Sequence, residues 1–172
     1  MQLVCPAGNL PALQAAVDAG ANAVYAGFRD QTNARAFPGL NFSDDELRAG
    51  VRYAHAKGAK VYLALNTYPD SARVRDWYSA VDKAAALGCD AIIAAEMAVL
   101  DYAARTHPGL PRHLSVQGSA TTAPALKYAF ERFGISRAVL PRVLSLQQVE
   151  RLCERSPVPL EVFAFGSLCI MV

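Results

Sequence analysis

At 172 residues the chain is long enough for one domain with a real core, and 53% apolar against 19% charged residues excludes a disordered polymer. The net charge of +2 is weak and Lys and Arg are scattered, with no basic stripe interleaved with aromatics, so no nucleic-acid partner is expected. No apolar run is long enough to span a bilayer, and the opening MQLVCPAGNL lacks a basic n-region, so the expected location is the cytoplasm.

One rhythm repeats along the chain: a short apolar run, a turn, then a helical segment usually closed by glycine. Leu3 to Cys5 reads as the first strand. NLPALQAAVDAG follows as a helix, with Asn9 as N-cap, Pro11 in the first turn and Gly20 as its stop. The second strand is Ala23 to Ala26. A long loop, GFRDQTNARAFPGLNF, leads to SDDELRAGVRYAHAKG, where Ser43 and Glu46 form a capping box and Gly58 ends the helix. Lys60 to Leu65 is the third strand, and RDWYSAVDKAAALG the helix after it. Ala91 to Ala95, Leu114 to Val116 and Arg137 to Leu140 follow as strands, with helices over AVLDYAARTHPG and APALKYAFERFG between them. SLQQVERLCERS, capped by Ser145, runs to the SPVP break, and Leu160 to Phe165 closes the series as a seventh strand.

The strands are continuous apolar runs, as in a parallel sheet covered on both faces. Strict alternation of seven strands with six helices leaves two architectures. A doubly wound sheet wants GxGxxG after its first strand, and CPAGNLPA lacks it. The expected fold is therefore α/β of the TIM-barrel type, a single N-terminal domain over residues 1–172, with the chain stopping before an eighth strand. Because the tail Ile170, Met171 and Val172 is apolar and stops just past Cys169, the chain is read as the front part of a longer protein.

In such a barrel the active site lies at the C-terminal ends of the strands. That rule selects Asn9, Asn33, Arg35, Asn66, Glu96, Gln117, Ser119 and Arg142, each placed after a strand. Arg35 and Arg142 have the chemistry to hold an anionic ligand, the alternative being structural ion pairs with Glu96 or Glu161. Gln117 reads either as a substrate contact or as a loop cap. Asn9, Asn33, Asn66 and Ser119 are the binding candidates, and Arg35, Arg142, Gln117 and Glu96 the catalytic ones. Phe28, Phe37, Leu40 and Phe42, in or beside the long loop, read as packing, with a lipid groove as the alternative.

Of the four cysteines, no two form a CxxC knuckle, and Cys89 and Cys153 read as buried free thiols. His55 and His107 read as surface residues. His113 reads as lying just ahead of the fifth strand, at the non-catalytic end. HExxH, GxSxG and GxxxxGK[ST] are all absent.

LVCPAGNLPAL, TNAR, GLNF, SVQGSAT, VLPRVLS and PLEVFAFGSLCIM, in that order, resemble the collagenase-like peptidases, family thirty-two of the unassigned class, and within it the ubiquinone-biosynthesis branch. The resemblance implies oxygen-independent hydroxylation of the ring of a ubiquinone precursor, with prephenate as oxygen donor and a UbiV-like protein as heterodimer partner. It implies a [4Fe–4S] cluster on four cysteines. Cys169 matches the first of these, and the other three lie downstream in the family. Residues 1–172 would then be inactive alone. The alternatives are an RNA-base hydroxylase of the same family, a collagenase-like peptidase, and a non-catalytic scaffold that self-associates through open sheet edges.

Overall fold

The computed structural model describes residues 1–166. Among them seven strands and six α-helices alternate: β1 (Val4–Pro6), α1 (Leu10–Asp18), β2 (Ala23–Ala26), α2 (Asp44–Ala56), β3 (Lys60–Leu65), α3 (Val74–Ala86), β4 (Ala91–Ala94), α4 (Met97–Thr106), β5 (Arg112–Leu114), α5 (Ala123–Phe133), β6 (Arg137–Val139), α6 (Leu146–Arg155) and β7 (Leu160–Glu161). All neighbouring strands pair in parallel, and their order across the sheet is the order in the chain. A doubly wound sheet would reverse direction at a switch point, so this order excludes it.

The sheet is rolled rather than open. Strands β3 and β6 stand three places apart, which in a flat sheet is about 14 Å. Yet the Arg137 guanidinium of β6 lies 5.6 Å from the centre of the Tyr62 ring of β3. The same guanidinium also reaches the side chain of Gln2, just ahead of β1. Side chains of one face therefore converge on an interior, and the result is a curled partial (β/α) barrel with β1 and β7 at its edges.

Local sequence explains the helices. Asn9 caps α1, accepting from Ala12 N at 2.9 Å. Ser43 and Glu46 close the reciprocal capping box of α2, and Ser145 and Gln148 do the same for α6. The helices bury one stripe each against the outer face of the sheet: Leu13 and Val17 from α1, Leu47 and Val51 from α2, Trp77 and Val81 from α3. The large core lies in this layer between helices and sheet. A smaller cluster, Ala23, Tyr62, Ala91 and Ile93, fills the interior of the roll.

Several expectations shift. Strand β5 runs Arg112–Leu114, not 114 to 116, because Ser115 caps a tight turn over Val116–Gly118 by accepting from Gln117 N at 3.2 Å. His113 consequently sits within the strand and is 5% exposed, rather than preceding it. Regular pairing of β7 ends at Glu161, short of the expected Phe165. Cys153 is exposed, not buried, because α6 is polar around most of its surface and buries only Leu152. Cys89 is buried as expected, just ahead of β4, and burial pushes its thiol up to about 12.

Candidate functional site

A cavity of about 570 Å³ opens where the strands end, within the size range of small-molecule sites. Its wall takes Tyr25 from β2, Ala64 from β3, Ile93 from β4, Val139 from β6 and Glu161 from β7, with Pro6, Ser115 and Phe163 beside them. These residues alternate along their strands with the helix-facing core, as period-two geometry requires. The rim is built largely by the long loop between β2 and α2, through Asn33, Ala34, Arg35, Phe37, Leu40 and Asn41.

That loop is held by side-chain amides. Asn33 Nδ2 donates to Asn41 Oδ1 at 2.9 Å, and Asn33 Oδ1 accepts from Arg35 N at 3.0 Å. Asn41 Nδ2 donates in turn to Arg35 O at 2.6 Å. Just past β3, Asn66 Oδ1 accepts from Ala34 N at 3.0 Å. Asn41 has φ 72°, a left-handed conformation that asparagine tolerates better than most residues.

The sequence candidates separate into two groups. Asn33, Arg35, Asn66 and Gln117 line the cavity. Asn33 and Asn66 do so while bracing the loop, and Gln117 has its backbone carbonyl held by the Tyr68 hydroxyl at 2.7 Å. Asn9 and Glu96 are outside it and act as helix caps; Glu96 accepts from Ala98 N at 3.0 Å at the start of α4. Ser119 is exposed in a left-handed turn, φ 49°, and is not in the wall. Arg142 stands behind Phe163, its guanidinium 4.4 Å from the ring centre, and donates to Gly166 O at 3.1 Å. Cys169 lies outside the described residues. Of the loop's apolar residues, Phe28 and Phe42 are core, while Phe37 and Leu40 are partly exposed at the cavity mouth.

Glu161 is the residue that the strand-end rule passes over. From sequence it enters only as a partner for Arg35 or Arg142, whereas its partner is Arg137 of β6, with Nη1 3.0 Å from Oε2. Arg137 in turn lies over Tyr62, whose ring meets His113 edge-on at 4.7 Å. Burial, together with the charges of Arg137 and Lys60, pushes His113 down to about 4, so it is neutral at neutral pH. A polar residue at an inward position of a buried strand was the signal available in LEVF.

The described cysteines do not fit an iron–sulfur cluster. Cys5 is in β1, Cys89 precedes β4 and Cys153 is on α6. Among the described residues no group of His, Cys, Asp and Glu is arranged to hold a metal ion. A cubane needs four thiolates at one point. Among the described residues no helix is long and apolar enough to cross a membrane.

A barrel with its cavity at the carboxyl ends of the strands defines the class. Residues 8–172 match the model of peptidase family U32, and the chain belongs to that family. It is 31% identical over 175 residues to tRNA hydroxylation protein P of Escherichia coli, covering 98% of this chain and 37% of that protein. It is 34% identical over 170 residues to the protein of the same name from Helicobacter pylori, covering 98% and 40%. A collagenase of Porphyromonas gingivalis is 33% identical over 182 residues, covering 99% and 43%. The chain thus spans about two fifths of the length of these relatives. Among solved structures, a U32 peptidase superposes with TM-score 0.77 at 18% identity, covering 94% of this chain and 68% of the other.

Proposed function

We propose that residues 1–172 form the N-terminal part of a hydroxylation protein of the U32 family that modifies a tRNA base without dioxygen, the base entering the cavity at the strand ends. The observation that carries this reading is the similarity, at 31 to 34% identity over 98% of the chain, to relatives named for tRNA hydroxylation. The cavity suits a nucleobase, since a largely apolar wall with few polar groups accepts a planar ring and limits water. The weak charge of this segment leaves the phosphate contacts of an RNA complex to the rest of the protein.

A second reading, hydroxylation of a ubiquinone precursor by a UbiU-like protein paired with a UbiV-like partner, is favoured by the motif run ending in PLEVFAFGSLCIM. A peptidase is disfavoured: none of His55, His107 and His113 lines the cavity, so no described histidine stands there to activate a nucleophile.

In either hydroxylase reading Cys169 is one thiolate of a [4Fe–4S] cluster whose other ligands lie beyond residue 172, and Arg35 on the cavity rim holds an anionic oxygen donor such as prephenate, with Arg142 supporting the wall behind Phe163. The described residues bind and orient; they do not complete the cluster site. The deciding experiment deletes the full-length gene and restores it as wild type or Cys169→Ala. Hydroxylated tRNA nucleosides and ubiquinone are then measured by mass spectrometry under anaerobic growth. Loss and rescue of the nucleoside with constant ubiquinone is the expected result. Loss of ubiquinone with unchanged nucleosides replaces it with the second reading. Full rescue by Cys169→Ala removes the cluster assignment.

A further inference from the structure

Arg137 and Glu161 place a salt bridge inside the rolled sheet, where side-chain exposure is only 16% and 21%. An ion pair so withdrawn from water stabilises a fold no better than apolar packing of the same volume, because desolvation offsets the attraction. The neighbouring interior residues Ala23, Tyr62, Ala91 and Ile93 show that apolar and aromatic packing fits this space. The pair is also asymmetric. Arg137 has both ends of its fork engaged, Nη1 on Glu161 Oε2 and Nη2 on the Gln2 side chain, with its plane over Tyr62. Glu161 forms part of the cavity wall, and its Oε1 has no hydrogen-bond partner among the described residues.

We propose that Glu161 is a specificity residue of this cavity: held in place by Arg137, it accepts a hydrogen bond from a ring N–H of the base that enters. The inference rests on reading the cavity as the place where a tRNA base is received. An ionised carboxylate only accepts. It therefore favours a base whose ring edge carries a donor and opposes one that presents a bare acceptor or a methyl group there. Arg137 fixes the direction of the carboxylate, so the ligand meets an oriented acceptor rather than a mobile side chain. Elsewhere in the cavity lining, Asn66 commits its carbonyl oxygen to Ala34 N, which leaves its amide hydrogens as donors. An acceptor and a donor in one cavity complement the mixed donor and acceptor groups of a nucleobase.

The test uses the full-length protein and calorimetric binding of uridine and guanosine, which carry a ring N–H, against 3-methyluridine and 1-methylguanosine, which do not. Wild type is expected to bind at least one parent nucleoside and its methylated form at least tenfold more weakly. In Glu161→Leu the two forms should bind alike. In Glu161→Gln the discrimination should also vanish, because the amide oxygen turns to Arg137 and its NH₂ faces the ligand. A purely structural role would leave the ratio unchanged in any variant that stays folded. Equal binding of both forms by wild type, persistence of the ratio in both folded variants, or no nucleoside binding by protein that still supports tRNA hydroxylation overturns the assignment of Glu161 alone. Failure of the gene deletion to alter tRNA hydroxylation overturns the proposed function instead.

Discussion

Asn33 and Asn41, eight residues apart in one loop, share a buried amide–amide hydrogen bond of 2.9 Å, and through it the two halves of the cavity's rim loop are held together. Asn33 is 6% and Asn41 5% exposed. Both use their second amide atom on Arg35, so Arg35 is set by this pair and not by the loop's own flexibility.

Replacing Asn33 by Ala removes its bonds to Asn41 Oδ1 and Arg35 N while Asn41 Nδ2 still donates to Arg35 O, a cost of about 1–3 kcal/mol for a buried group that loses its hydrogen bond. A lower melting temperature and faster amide hydrogen exchange confined to residues 28–42 are expected. Gly27→Ala should act on the same contact, since a Cβ there would lie 2.2 Å from Asn33 Nδ2. Normal protection of the loop in both variants would show that the amide pair is dispensable.

Arg112 is buried and has no carboxylate partner among the described residues; it donates to the carbonyls of Phe133 at 2.8 Å, Leu110 at 2.8 Å and Gly134 at 3.2 Å. It thereby caps the C-terminus of α5, where a cation is favoured. Arg112→Met should destabilise by about 2–4 kcal/mol in denaturant titration, and Arg112→Lys should recover little, because an ammonium cannot reproduce the planar fork. Near-wild-type stability of the lysine variant would show that charge alone suffices.

His113 predicts a pH dependence. Its folded value of about 4 lies below the ordinary 6.5, so the unfolded chain takes up the proton first as pH falls. Stability tied to this residue is complete above about pH 6.5 and is lost progressively between there and pH 4, by at most about 3 kcal/mol. His113→Phe should flatten that part of the stability profile relative to wild type. Parallel profiles would assign the acid sensitivity to carboxylates.

The thiols should differ in reactivity. Cys153 is exposed on α6, whereas Cys89 is buried with its thiol pushed up to about 12. Under native conditions at neutral pH, maleimide should label Cys153 at least tenfold faster than Cys89, as followed by peptide mass spectrometry. Comparable rates would mean that the region around β4 opens readily.

Caps, stops and strand centres were legible because they are local. Asn9, Ser43 and Ser145 each satisfy a backbone N–H within three residues, and glycine or proline ends most helices through its own backbone geometry. The alternation of apolar runs with amphipathic helices likewise carried the parallel barrel, since β–α repetition restricts how the chain can return to the sheet. The strand-end rule found Asn33, Arg35, Asn66 and Gln117 on the cavity for the same reason. It also selected Asn9 and Glu96, which serve as helix caps, because a polar residue after a strand looks the same whether it faces a ligand or a helix N-terminus.

Curvature decided the rest. Arg137 meets Glu161 across 24 positions of sequence and Gln2 across 135. Neither contact follows from spacing: the first comes from the pairing of adjacent strands β6 and β7, and the second exists because rolling the sheet brings β6 to the residues just ahead of β1. Sequence periodicity determines that a side chain points inward, and only the closure of the sheet determines what it meets there.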